Sequence, residues 1–98
     1  MKSNWSVGER HLTYAGSGFL GIVSIQGPYI AVYFTNGMGA EVYKESPIEN
    51  FTSLKDAIDR VEKFFEQGYS KQKEWFEAHA LERDRNVELK RRKVSISY

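Results

Sequence analysis

The sequence predicts an α+β domain: an antiparallel meander of three to four strands covered on one face by a helix, followed by a second, charged C-terminal helix. Three observations carry this. Residues 5–43 alternate apolar and aromatic runs with turn residues. The apolar period changes from two to about 3.6 near Phe51. Charge also divides at Ser70, with six Lys/Arg against eight Asp/Glu before it and eight against five after it. The expected organisation is a β-meander plus helix in residues 1–68 and a helical, basic arm of the same domain in residues 69–98.

At 98 residues the chain has room for a single core and little else. It contains no cysteine, so disulfides and thiolate metal sites are excluded. The opening MKSNWSVGER lacks the apolar run of a signal peptide or membrane anchor, and the expected location is the cytoplasm.

Within the strand region the clearest pair is FLGIVSIQ and YIAVYF, joined at Gly27-Pro28. In the second of these, Ile30, Val32 and Phe34 share one face, while Tyr29, Ala31 and Tyr33 share the other. Both faces are apolar enough to need cover. Asn36-Gly37 supplies the positive φ angles of a tight hairpin turn, which places a further strand at GAEVY.

Helical signals start at FTSLKDAIDRVEKFF. Ser53 followed by Asp56 has the form of a capping box, and Leu54, Ala57, Ile58, Val61, Phe64 and Phe65 form an apolar stripe. Asp56 with Arg60, and Asp59 with Lys63, are favourable pairs four residues apart. The expected core is Ile22 or Val23, Ile30, Val32, Phe34, Leu54, Ile58, Val61 and Phe65.

Gly68 separates two readings. Glycine is the usual residue just past a helix end, and Ser70 is able to cap a second helix. Against a break, Lys71 and Lys73 then sit in a first turn and Glu66 in a last turn, each beside the wrong pole. A continuous helix over residues 54–93 would be about 60 Å long, whereas a compact domain of this size is roughly 30 to 35 Å across. Both readings stay open. Placed first is an overhanging or bent arm whose Trp75 and Phe76 pack on a second subunit.

Candidate chemistry is sparse. GSGFLG, residues 16–21, matches G-x-G-x-x-G, but the strand-like residues after it point to a hairpin turn rather than a phosphate loop. His11 and His79 have no second ligand at metal spacing. No nucleophile and base occur in a recognisable motif, so no catalysis and no cofactor are expected. Tyr29 and Tyr33, with Tyr14 and Tyr43, suggest an aromatic platform. The strand region sets only Arg10 and Lys44 against Glu9, Glu41 and Glu45, which disfavours nucleic acid on the sheet.

Taken together, Trp5, LGIV, YIAVYF and FTSLKDAIDRVEKF resemble the small β-meander-plus-helix proteins common in phages and mobile elements, many without assigned function. A more distant resemblance is to the three-strand-plus-helix DNA-binding domains of the integrase N-terminal type. Those domains carry basic residues on the sheet where this chain has tyrosines and glutamates. The expected function is a non-catalytic interaction or regulatory protein that binds a protein partner and forms a homodimer, with Trp75, Phe76, Tyr29 and Tyr33 as contacts. The alternative is nucleic-acid binding through Arg83, Arg85, Lys90, Arg91, Arg92 and Lys93. No membrane association is expected.

Overall fold

A computed structural model of the chain describes residues 4–37 and 40–82. In chain order the elements are β1 (Trp5–Val7), β2 (His11–Gly16), β3 (Phe19–Gln26), β4 (Tyr29–Thr35), β5 (Lys44–Glu45), β6 (Glu49–Phe51), α1 (Leu54–Glu66), α2 (Tyr69–His79) and β7 (Leu81–Glu82). The strands form one seven-stranded antiparallel sheet in the order β1-β2-β3-β4-β5-β7, with β6 also paired to β4. Both helices pack on one face. The class is α+β as the sequence predicts, and the meander is larger than three to four strands.

Two tight turns build the central hairpins. Ser17 and Gly18 both take positive φ, 52° and 82°, between β2 and β3. That is the turn chemistry matching the twist of two antiparallel strands. Gly27 at φ 69° followed by Pro28 joins β3 to β4 at the boundary the sequence marks. The third expected hairpin differs. Gly37 has φ 79°, but pairing resumes only at Lys44–Glu45, so the strand expected at GAEVY falls one residue beyond it. Asn36 closes this wider loop, its Nδ2 donating to the Val42 carbonyl and its Oδ1 accepting from the Lys44 amide at 3.1 Å. A side chain thus supplies what a tight turn would have supplied with backbone.

The free edge of β4 is shared between two short strands. Thr35 pairs with Glu45, and Ile30 to Val32 pair with Phe51 to Glu49. Between them the buried Ser46 exchanges two bonds with Phe34: its amide donates to the Phe34 carbonyl at 2.9 Å, and its Oγ accepts from the Phe34 amide at 2.8 Å. Ser46 thus continues the bonding of β4 across the gap and satisfies both peptide groups of Phe34.

Helix α1 begins where expected, with Ser53 Oγ accepting from the Asp56 amide at 3.4 Å. It buries Ala57, Val61 and Phe64, with Ile58 and Phe65 partly buried against the same core. Leu54, expected in the core, is 40% exposed. It lies on the first turn, where the helix has not yet reached the sheet interior. The helix approaches the sheet over Gly21, where an added Cβ would come within 2.6 Å of Val61 Cγ1 and 3.2 Å of Phe34 Cε1. The last glycine of the G-x-G-x-x-G string is thus a packing residue, and Gly18 is a turn residue. Neither is needed for phosphate.

The helix ends at Gln67 and a new one starts after Gly68. Gly68 has φ −63° and ψ 159°, an extended geometry open to any residue, and a Cβ there would meet nothing within 4 Å. The break is held instead by Gln72. This side chain is 2% exposed, and its Nε2 donates to the Gln67 carbonyl at 2.6 Å and the Phe65 carbonyl at 3.4 Å. Those are carbonyls that the end of α1 leaves without an intrahelical partner.

Two outcomes follow. Gly21→Ala forces Val61 or the helix to move, and is expected to destabilise the fold by about 1 to 3 kcal/mol in denaturant titration, the range of overpacked cores. Gly68→Asp adds the side-chain cap and first-turn negative charge that α2 lacks. It is expected to raise stability by about 0.5 to 1 kcal/mol, read as a shift of the same midpoint.

Candidate functional site

The inner and outer faces of the sheet have opposite fates. On the inner face, Trp5, Tyr14, Gly21 and Phe34 form one cross-strand row, and Leu12, Val23 and Val32 lie in the next. Aromatic rings interlock above them. Phe64 stacks on Phe34 with centroids 4.2 Å apart, Phe65 stacks on Tyr14 at 4.4 Å, and Trp75 meets Phe34 edge-on at 5.6 Å. Trp5 is pinned at the rim, its Nε1 donating to Glu62 Oε2 at 2.9 Å.

Trp75 and Phe76, expected as contacts to a second subunit, belong to this core. Phe76 is 2% exposed and packs 5.0 Å from Phe19, while Trp75 is half-buried against Phe34 and Phe64. The physical reason is the break at Gly68. It turns α2 back over the sheet, so among the described residues the chain does not follow the overhanging arm placed first by the sequence. Tyr14 leaves the proposed platform for the same inner face, and the Tyr43 hydroxyl donates to Glu45 Oε1 at 2.8 Å.

Arg60 also departs from its expected partner. Its Nε and Nη2 donate to Glu49 Oε1 and Oε2 at 2.9 and 3.0 Å, across from helix to strand. Its guanidinium lies 5.1 Å from the Phe34 centroid and 5.2 Å from that of Trp75. On the other side of this cluster His79 stacks on Trp75 at 4.6 Å, with Nδ1 2.8 Å from the Trp75 carbonyl. These contacts tie α2 to α1 and to the sheet, with His79 on the exposed side of the cluster. Among the described residues no group of three or more His, Asp or Glu is placed to hold a metal ion. No helix among them is long and apolar enough to cross a membrane.

A cavity of about 420 Å3 lies between α2 and the loop before β5, with Phe19, Phe76, Tyr69 and Val42 as apolar walls and Lys44 and Lys73 near the mouth. Lys44 is paired with Glu77 at 3.4 Å. Ser17, Asn36, Glu41 and Glu77 also line it, so the slot is mixed apolar and charged, and none of these side chains forms a nucleophile–base pair in the hydrogen bonds of the described residues.

The outer face is the other candidate. The register places Ser6, Thr13, Ile22 and Tyr33 in one row and Ala15, Leu20 and Thr35 in the next, with Ser24 and Ala31 opposite one another and Tyr29 at the end of β4. Tyr29 is 59% exposed. In a chain that is 28% charged, no outward position of β2, β3 or β4 is Asp, Glu, Lys or Arg. No described helix or strand packs over this face. Tyr29 and Tyr33 share this face, as the alternation of β4 predicts, and Leu20, Ile22 and Thr13 lie on it with them. Alternation in FLGIVSIQ held that signal, because Leu20 and Ile22 fall opposite the core set of Phe19, Gly21 and Val23. Arg83, Arg85, Lys90, Arg91, Arg92 and Lys93 lie outside the described residues.

No family model matches this chain, and neither a curated protein nor a solved structure matches it.

If Phe76 serves the chain's own core, Phe76→Ala is expected to cost about 3 to 5 kcal/mol. Melting would fall sharply while the mass in solution stays that of the wild type. A change in mass with an unchanged melt would return Phe76 to an interface.

Proposed function

We propose that this chain is a non-catalytic interaction protein, a small regulatory module that binds a protein partner and self-associates, with the outer sheet face bearing Tyr29 and Tyr33 as its working surface. We place it with the small cytoplasmic proteins of phages and mobile elements that its order of strands and helix resembles. The observation that carries the reading is the chemistry of that face. A solvated sheet face usually interleaves charged residues, and this one has none on its three long strands. Its central mix of Ile, Leu, Thr, Ser and Tyr, with His11 and Glu45 at opposite ends, fits the desolvated centre of a protein interface, which is depleted in charge and enriched in Tyr. Phosphate binding requires cations, and those are missing from it.

The test is capture by the full-length chain from extract, with nuclease present and salt raised, comparing wild type with Tyr29→Ala and the double variant Tyr29→Ala/Ile22→Ser. The expected result is a protein bound by wild type, retained at high salt, and reduced at least about tenfold by the double variant while the melting curve keeps its cooperativity. Binding that survives the double variant removes the face from the reading. Capture that disappears with nuclease or salt supports the nucleic-acid alternative instead.

A further inference from the structure

Resting on the reading of the outer face as an interaction surface, its occupant follows from charge, shape and edges. A partner with a charged surface would leave its ions desolvated against this face with nothing to pair them, at a cost of several kcal/mol per ion. The same face of another copy offers the matching uncharged centre, because Ile22, Leu20, Thr13 and Tyr33 lie there while the ionisable His11 and Glu45 lie at opposite ends of it. Shape also agrees, because two sheets of the same chain carry the same twist and pack aligned, about 10 Å apart. The competing way for sheets to associate is edge to edge, and it is poorly provided for: β1 and β6 are three residues long and β7 is two. Such short edges offer few ladder bonds.

We propose that a second copy of this chain docks sheet against sheet on the outer face, with Ile22 and Leu20 near the twofold axis and Tyr29 at the rim. In such an isologous contact each residue meets its own counterpart or a reciprocal one. Area sets the strength. Four strands about 4.8 Å apart and roughly six residues long bury on the order of 1,000 Å2 in total, the low end for a specific interface. The dimer is therefore concentration-dependent rather than permanent.

Sedimentation velocity of the full chain, from low micromolar to submillimolar concentration, tests this with two variants. Ile22→Lys places a charge at the centre of the face. Ser24→Lys does so without deleting an apolar group. Wild type is expected to pass from monomer to dimer across this range, and both variants are expected to weaken the dimer at least about tenfold with unaltered melting at low concentration. A wild type that stays monomeric throughout overturns the proposal, as does a dimer that survives both lysines. A monomeric wild type whose melting temperature drops sharply in both variants also overturns it, because the face is then covered by the chain's own residues. If self-association fails while outer-face variants still lose a captured protein partner, the interaction reading stands and only the second copy is excluded.

Discussion

The ring of Phe34 is the point where the sheet and both helices meet. It is fully buried, stacks on Phe64 from α1, meets Trp75 from α2 edge-on, and carries the Arg60 guanidinium 5.1 Å from its centre. Room for this arrangement comes from Gly21, its cross-strand neighbour, which has no Cβ to hold Val61 away. The Phe34 backbone is equally constrained, with amide and carbonyl both bonded to Ser46. Strand, helix and loop positions are thus coupled through one residue, and displacing any of them disturbs the contacts of the others.

This coupling explains why the helix breaks at Gly68 against its local electrostatics. Lys71 and Lys73 lie near the positive pole of α2, whose first turn has no acidic residue and no side-chain cap. Each unfavourable placement costs roughly 0.3 to 1 kcal/mol at an exposed site. Burying a Phe gains about 1.5 to 3 kcal/mol, and the break buries Phe76 together with much of Trp75. Gln72 then recovers part of the bonding lost at the end of α1, although its Oε1 has no partner among the described residues. Packing outweighs the pole effects by a factor of two or more. The exposed Lys44–Glu77 pair between β5 and α2 adds little, as solvated ion pairs do.

Where the sequence was legible, a strong period or specific turn chemistry was present. FLGIVSIQ and YIAVYF appear as β3 and β4 at the expected boundaries because Gly27-Pro28 admits one kind of turn. Leu54–Glu66 forms α1 because cap and stripe agree. Illegible were β5, β6 and β7, two or three residues each, too short to show any alternation. The fate of Trp75 and Phe76 was hidden for a different reason. Two adjacent aromatics on a weakly amphipathic helix fit an interface as well as a core, and the decision depended on tertiary contacts with Phe19, Phe34 and Phe64. Arg60 likewise had a plausible partner on its own helix until β6 placed Glu49 within reach.

With the aromatic arm absorbed into the core, the outward residues of β2, β3 and β4 acquire a different weight. On the inner face, each large side chain is accounted for by a helix ring or a cross-strand neighbour. Outward, Leu20 and Ile22 have only cross-strand neighbours, Ala15 and Thr35 for the first and Thr13 and Tyr33 for the second, and contribute to neither helix contact nor turn geometry. Replacing one solvent-facing strand residue by Lys or Glu costs a fold little, so stability alone gives no reason for the outward positions of β2, β3 and β4 to lack Asp, Glu, Lys and Arg altogether. A reason does arise if water leaves that face during function, because each ion there would then carry a desolvation cost with no opposing charge to recover it. The absence of Asp, Glu, Lys and Arg from the outward positions of these three strands is thus a property the isolated fold does not require and a buried interface does, and this is what supports the proposal that the chain works through its sheet.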